Sequence, residues 1–180
     1  MSDLKQNIKN HKKIISIYGL GNVGGAIAAS WLRAGSKVIG VDLSDKLLKD
    51  IKIGRSHKKE PFVSKVFSNA LKTKNLVLTK DGVNASKNSD IKIIVVPVAI
   101  TRTKTDLSNV ISVAQTISQG LKKGDAVVLS PSVPPGTTEE ILLPILERGS
   151  KLKGERDFSL IYNPERIFEG RAIQDIEENY

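Results

Sequence analysis

Short, almost continuous apolar runs alternate along this chain with longer stretches whose apolar residues recur every third or fourth position. The runs are KIISIYG (13–19), KVIGVD (37–42), NLVLTKD (75–81), DIKIIVVPV (90–98), DAVVLSPS (125–132) and DFSLIYNPE (157–165). Between them, NVGGAIAASWLRAG (22–35), SDKLLKDIKIG (44–54), LSNVISVAQTISQGLKKG (107–124) and TTEEILLPILERG (137–149) carry helical spacing, and a helix is also expected after the basic loop that opens RSHKKEPFVSKVFSNALK (55–72). Ser44 and Thr137 stand where an N-cap hydroxyl belongs, and Gly35, Gly54 and Gly124 where helices stop. Strands that are apolar on both faces and alternate with helices predict an α/β fold. The expected form is a doubly wound parallel sheet of about six strands in the order 3-2-1-4-5-6, with helices on both faces.

The first strand runs into Gly19, Gly21 and Gly24, a G-x-G-x-x-G pattern, and a helix opens at Asn22 and Val23. Strand before and helix after is the context that gives this pattern physical meaning, and it makes the fold Rossmann-like. The first glycine permits a tight turn, the second lets a pyrophosphate approach the backbone, and the third lets helix and strand pack closely. Phosphates then meet N–H groups at a helix N-terminus. Asp42 ends the second strand, where a carboxylate can accept hydrogen bonds from a ribose and repel a 2′-phosphate. Gly19, Gly21, Asn22, Val23, Gly24 and Asp42 are therefore expected to bind a dinucleotide, NAD rather than NADP. Val96 and Pro97, at the end of the fourth strand beside the first, are expected to flank it; a strand end closed by proline accounts for them equally.

Two later segments carry possible chemistry. SPSVPPGTTEE (130–140) is a proline-stiffened loop that presents the Ser132 hydroxyl toward the crevice; a rigid connection with a helix cap is the plainer account. YNPERIFEGRAI (162–173) holds Glu165 and Glu169 four residues apart, on one face if the segment is helical. Such a pair can position or deprotonate water, or form no more than a surface charge cluster.

Charge and composition narrow the function classes. The net charge is +9, and 22 of the 28 Lys/Arg but only 8 of the 19 Asp/Glu precede residue 125. The lysines are scattered without aromatic interleaving, so nucleic acid is not the expected partner, whereas an anionic small ligand fits. Cysteine is absent, which excludes disulfides, zinc–thiolate sites and a cysteine nucleophile among these residues; no metal site is expected. Residues 1–12 read as a flexible basic tail without the apolar segment of a secretory signal. No apolar run is long enough to span a bilayer, so a cytoplasmic location is expected.

In order, YGLGNVGGAIA, VD, IGRSHKKEP, VVP, SVPPGTTE and NPERIFEG resemble the N-terminal NAD-binding domain of the UDP-glucose/GDP-mannose dehydrogenase family, from Lys13 to Asp175. The PER form resembles the branch acting on UDP-N-acetylhexosamines, such as UDP-N-acetyl-D-mannosamine dehydrogenases. The resemblance implies NAD-linked oxidation of a sugar C6 alcohol to a carboxylate through a cysteine thioester. It places Asp42 and Lys46 around the adenosine ribose, Ser132 where a hydroxyl helps hold the catalytic water, Glu165 at a glutamate of thioester hydrolysis, and Glu169 at a glutamate of part of the family. Gly54, Glu60 and Pro61 match its G…EP element. Two departures stand out: VPVA replaces VPTP, and PSVP replaces STVP. The family's central and C-terminal domains have no counterpart in these residues. The expectation is an NAD-binding domain (13–175), with 176–180 opening a connecting element, inactive alone and either truncated or a split subunit completed by a partner chain that carries the central and C-terminal domains. The alternative is a stand-alone NAD- or nucleotide-binding or regulatory module without catalysis.

Overall fold

The computed structural model describes residues 13–57, 60, 62–101, 104–167 and 170–179. The expected tail at 1–12, Pro61 and Glu169 lie outside the described residues.

The strands are β1 (Ile14–Tyr18), β2 (Lys37–Val41), β3 (Leu76–Thr79), β4 (Ile91–Ile94), β5 (Ala99–Ile100), β6 (Thr105–Asp106), β7 (Ala126–Leu129) and β8 (Ser159–Tyr162). The helices are α1 (Asn22–Arg33), α2 (Asp45–Lys52), α3 (Val63–Lys72), α4 (Gly82–Lys87), α5 (Ser108–Ser118), α6 (Leu143–Ser150) and α7 (Ala172–Asn179), with a π-helical turn at Thr137–Leu142 leading into α6. Six strands form one parallel sheet in the order β3-β2-β1-β4-β7-β8, the doubly wound arrangement the apolar runs predict. Tyr18 pairs with Val41 on one side and Ile94 on the other. Chain order therefore reverses at β1, and the crevice beyond its C-terminal end is where such sheets receive ligands.

Helices cover both faces. On one, Ile15, Ile17 and Val38 pack with Ala26, Phe67, Ala172 and Ile173. On the other, Tyr18, Ile94 and Leu129 pack with Ala114, Ile117, Leu142 and Leu146. The small residues Gly24, Gly25, Ala26, Ala28 and Ala29 are the buried stripe of α1, which lets that helix approach the sheet closely.

Several expectations are corrected. The fourth strand stops at Ile94; Val95 N–H makes one more bond, to the Tyr18 carbonyl at 2.9 Å, and Pro97 beyond it has no N–H to give. GVNASK forms α4, capped by the Asp81 carboxylate accepting from Asn84 N–H at 2.9 Å. Ala99–Ile100 (β5) and Thr105–Asp106 (β6) form a small antiparallel pair. Ser44 is a true cap, accepting from Leu47 N–H at 3.1 Å. Thr137 is not: its hydroxyl donates to the Pro134 carbonyl at 2.6 Å, and Gly136 is the N-cap. The helix then opens with a wide π-turn ahead of Pro144, which cannot supply the N–H that a regular α-helix would send back to Glu140. Residues 163–167 are not helical, so Glu165 does not stand on a helix face. Among the described residues no helix is long and apolar enough to cross a membrane.

Candidate functional site

Gly19 leaves β1 with φ +97°, and a side chain there would bring its Cβ to 2.7 Å from the Val95 carbonyl oxygen. Its N–H continues the sheet by donating to the Val41 carbonyl at 2.8 Å. Gly24 lies in the first turn of α1, where a Cβ would sit 1.9 Å from the Gly19 carbonyl oxygen. These two glycines are demanded by the fold. Gly21 is different: it has φ −62° and ψ −167°, open to any residue, and a Cβ there would meet no protein atom within 4 Å. It is exposed at the N-terminal end of α1, so the space a Cβ would fill is space offered to a ligand.

That space belongs to a cleft of about 810 Å³ at the C-terminal edge of the sheet. Gly19, Gly21, Asn22, Val23 and Gly24 form one wall, and Asp42 lies at the β2 end. Val96 and Pro97 line it after β4, and Ser132 and Glu165 after β7 and β8. Residues read from five separate segments of sequence thus meet in one cavity. Lys46 does not line it; it is exposed on the first turn of α2.

Asp42 is fixed from both sides. Its Oδ2 accepts from Leu20 N–H at 2.8 Å and its Oδ1 from Ser44 N–H at 2.9 Å. An ionised carboxylate has about four acceptor positions, so two bonds orient the group and leave capacity toward the cleft. Glu165 is half-buried; its N–H donates to the Ser130 carbonyl at 3.0 Å, and its Oε2 accepts from Ile167 N–H at 3.1 Å. Ser132 is exposed on a loop where Val133 N–H donates to the Tyr162 hydroxyl at 3.4 Å. Tyr18 lies at the cleft floor, donating its hydroxyl to the Gly82 carbonyl at 2.8 Å, and burial pushes its pKa up to about 12.

Other cleft residues escaped the sequence reading. Lys80 follows β3 directly beside Asp42, as the pairing of Val41 with Thr79 requires, and its Nζ lies 3.0 Å from Asp45. Asn109, Ser112 and Thr116 contribute one face of α5, and Asn109 Nδ2 donates to the Pro97 carbonyl at 3.0 Å, holding the VVPV turn. The register to Asp42 and the spacing of three and four in SNVISVAQT are signals that could have found them.

Glu60, of the G…EP element, has a partner set that the sequence leaves unassigned. It is buried and remote in sequence from its partners: Oε1 accepts from Gly170 N–H at 2.7 Å and Oε2 from Ala172 N–H at 3.2 Å. It thereby caps α7 and ties the segment after Gly54 to the segment after Glu165. A second buried charge lies away from the cleft. Lys92 sits near the start of β4, paired with Asp125 and donating to the Ser89 carbonyl at 2.6 Å. Burial draws its pKa down to about 8 against the pull of Asp125. Among the described residues no group of three or more His, Asp or Glu could hold a metal ion.

Residues 13–180 match the NAD binding domain of the UDP-glucose/GDP-mannose dehydrogenase family. A UDP-N-acetyl-D-mannosamine dehydrogenase of Pyrococcus horikoshii is 30% identical over 92% of this chain and 39% of its own length. A GDP-mannose 6-dehydrogenase of Pseudomonas syringae is 32% identical over 91% of this chain and 38% of its own. Among solved structures, a ternary complex of GDP-mannose dehydrogenase from Pseudomonas aeruginosa superposes with a TM-score of 0.84 at 32% identity, covering 90% of this chain and 38% of that one. The chain therefore spans well under half the length of these relatives.

Proposed function

Because the chain belongs to the UDP-glucose/GDP-mannose dehydrogenase family, in the part that is its NAD binding domain, we propose that it holds NAD for the oxidation of a nucleotide sugar at C6. The observation that carries this reading is Gly21, whose missing Cβ opens directly into the cleft at a helix N-terminus. The pyrophosphate would lie over Gly21, Asn22 and Val23, where the N-terminal turn of α1 and its dipole favour an anion. Asp42 would accept from the adenosine ribose hydroxyls and, as an anion, repel a 2′-phosphate. Val96 and Pro97, held by Asn109, would form an apolar wall beside the cofactor. NAD supplies the hydride acceptor when bound; this chain supplies orientation and exclusion of water.

Ser132 and Glu165 line the same cleft and are proposed to serve the hydrolytic half of the reaction. The Ser132 hydroxyl would hold a water, and the Glu165 carboxylate would take its proton. The nucleophile that would carry the covalent intermediate and the pocket for the sugar are proposed to lie outside these 180 residues, in the same polypeptide or in a partner chain. The substrate class is a nucleotide-linked hexose, either a UDP-N-acetylhexosamine or a sister substrate, since UDP- and GDP-sugar dehydrogenases are alike among the relatives.

Isothermal titration of the chain with NAD and NADP tests the cofactor assignment. The expected result is saturable NAD binding with NADP at least about tenfold weaker, a difference of about 1.4 kcal/mol. No NAD binding at millimolar concentration, or a preference for NADP, would refute it. Mixing with a chain that carries the substrate domain and following NADH formation with UDP- and GDP-hexoses tests the reaction itself.

A further inference from the structure

The underside of the glycine-rich turn is occupied by an imidazole. His57 is buried, with 8% of its surface exposed, and its backbone is left-handed at φ +56°. Its Nε2 lies 2.8 Å from the Leu20 carbonyl oxygen and 3.2 Å from that of Gly21, while Nδ1 lies 2.8 Å from Ser56 Oγ. Carbonyls only accept, so Nε2 carries a proton. The ring stands edge-on to buried Phe67, with centroids 5.4 Å apart at 83°. It also explains the fourth glycine of the turn: a Cβ on Gly25 would lie 2.3 Å from His57 Nε2.

A trans peptide points its N–H opposite to its C=O. The carbonyls of Leu20 and Gly21 belong to the peptides whose N–H groups are those of Gly21 and Asn22. Nε2 holds the Leu20 oxygen and shares the Gly21 oxygen with the Gly25 N–H, which donates to it at 2.7 Å; with both oxygens drawn to that side, both N–H groups turn away from His57 and toward the cleft. We propose that His57 is a positioning residue: it clamps the glycine-rich turn from beneath so that the Gly21 and Asn22 N–H groups are pre-aimed at an anionic diphosphate. The inference rests on the reading that this cleft takes NAD, and it assigns a role to a residue that never reaches the ligand. Pre-aimed donors bind more tightly because the backbone is already ordered before the ligand arrives.

The Leu20 and Gly21 carbonyl ¹³C resonances and the NAD affinity of three variants of the 180-residue chain test this. His57→Leu keeps an apolar filler beside Phe67 and removes the donor; it is expected to shift both resonances and weaken NAD binding by about tenfold, or about 1.4 kcal/mol. His57→Gln places an amide N–H near Nε2 and is expected to restore both, to within about threefold in affinity, or about 0.65 kcal/mol. Gly25→Ala keeps the imidazole but displaces it and is expected to reproduce the leucine variant in a helix that alanine otherwise favours, which covers the case of a leucine variant that does not fold. Unchanged Leu20 and Gly21 resonances in His57→Leu or Gly25→Ala overturn the proposal. So does a folded His57→Gln chain that binds as poorly as His57→Leu, because packing rather than donation would then be the role. If the wild-type chain takes up no NAD, the dinucleotide reading fails, while the carbonyl resonances still decide whether His57 clamps the turn.

Discussion

Gly21 and Gly24 stand three residues apart in one motif, yet alanine at each should fail in a different way. At Gly24 the new Cβ would lie 1.9 Å from the Gly19 carbonyl oxygen, well inside the C···O contact distance of about 3.3 Å. One of two backbone segments must move by more than an ångström, and Gly19 is pinned by its hydrogen bond to Val41. Overpacking of this kind costs about 3 kcal/mol, which for a domain of this size lowers Tm by about 6–12 °C. At Gly21 the Cβ meets nothing within 4 Å, and the backbone is already in a region alanine adopts. Alanine is a poorer N-cap by about 1 kcal/mol or less, offset by about 0.4–1 kcal/mol from the stiffer unfolded chain. Tm should stay within about 2 °C. The methyl would instead occupy the diphosphate's place. Losing two charge-assisted hydrogen bonds, at about 1.5 kcal/mol each, weakens NAD binding by about a hundredfold. Differential scanning calorimetry and isothermal titration on the two variants separate the effects. A Gly21→Ala chain that binds NAD like wild type would refute the placement of the diphosphate over α1, and a Gly24→Ala chain with an unchanged Tm would refute the close packing of turn and helix.

Asp42→Asn keeps the acceptor toward one backbone N–H and loses the charge; titration should show NAD weakened by about tenfold and the gap to NADP narrowed, and an unchanged NADP/NAD ratio would count against the ribose assignment. Glu60→Gln turns an amide toward one of two buried N–H groups, at a cost of about 1.5–3 kcal/mol; hydrogen exchange should then show α7 losing protection before the sheet does. Asp157 is held by Arg156 at 2.8 Å, Lys153 N–H at 3.0 Å and Lys123 at 3.3 Å, and the Arg156 guanidinium and the Lys153 N–H keep its carboxyl well below the usual carboxylate range. A depressed carboxylate stabilises the fold above its unfolded value, about 3.9, and that stability is lost as pH falls through the folded value. The Tm difference between wild type and Asp157→Asn should accordingly be largest near neutrality and shrink as the pH is taken below about 4; a difference that grows in acid would contradict the assignment.

The parallel sheet was legible because strands covered on both faces are apolar at nearly every position, and IISIY, KVIGV and IKII announce this without help from the rest of the chain. The glycine turn was legible because its constraints are local: Gly19 and Gly24 answer to atoms within a few residues of the turn or on the adjoining strand end. What escaped had no local signature. GVNASK contains poor helix formers and is helical because Asp81 caps it and Thr116, Tyr18 and Val41 pack around Gly82. His57 and Glu60 act on backbone atoms, which every residue possesses, at separations of 36–37 and 110–112 residues; a hydrogen bond to main chain leaves no trace in the identity of its partner. Lys80 escaped because only the register of β3 against β2 brings it to the cleft beside Asp42.

The short piece of chain from His57 to Glu60 behaves as a ruler. One end grips the turn that opens α1 and the other grips the turn that opens α7, and the Glu60 N–H donates to the His57 carbonyl at 2.9 Å, which fixes the span between them. Connections between elements ordinarily tolerate added or lost residues. Here a single insertion or deletion between 57 and 60 would put one grip out of reach of its carbonyls or the other out of reach of its N–H groups, whereas the same change between Gly54 and Ser56 would leave the span intact. Length variation among natural or engineered versions of this domain should therefore fall before His57 or after Glu60, and a shuffled library that varies this loop should return survivors in which the interval is kept.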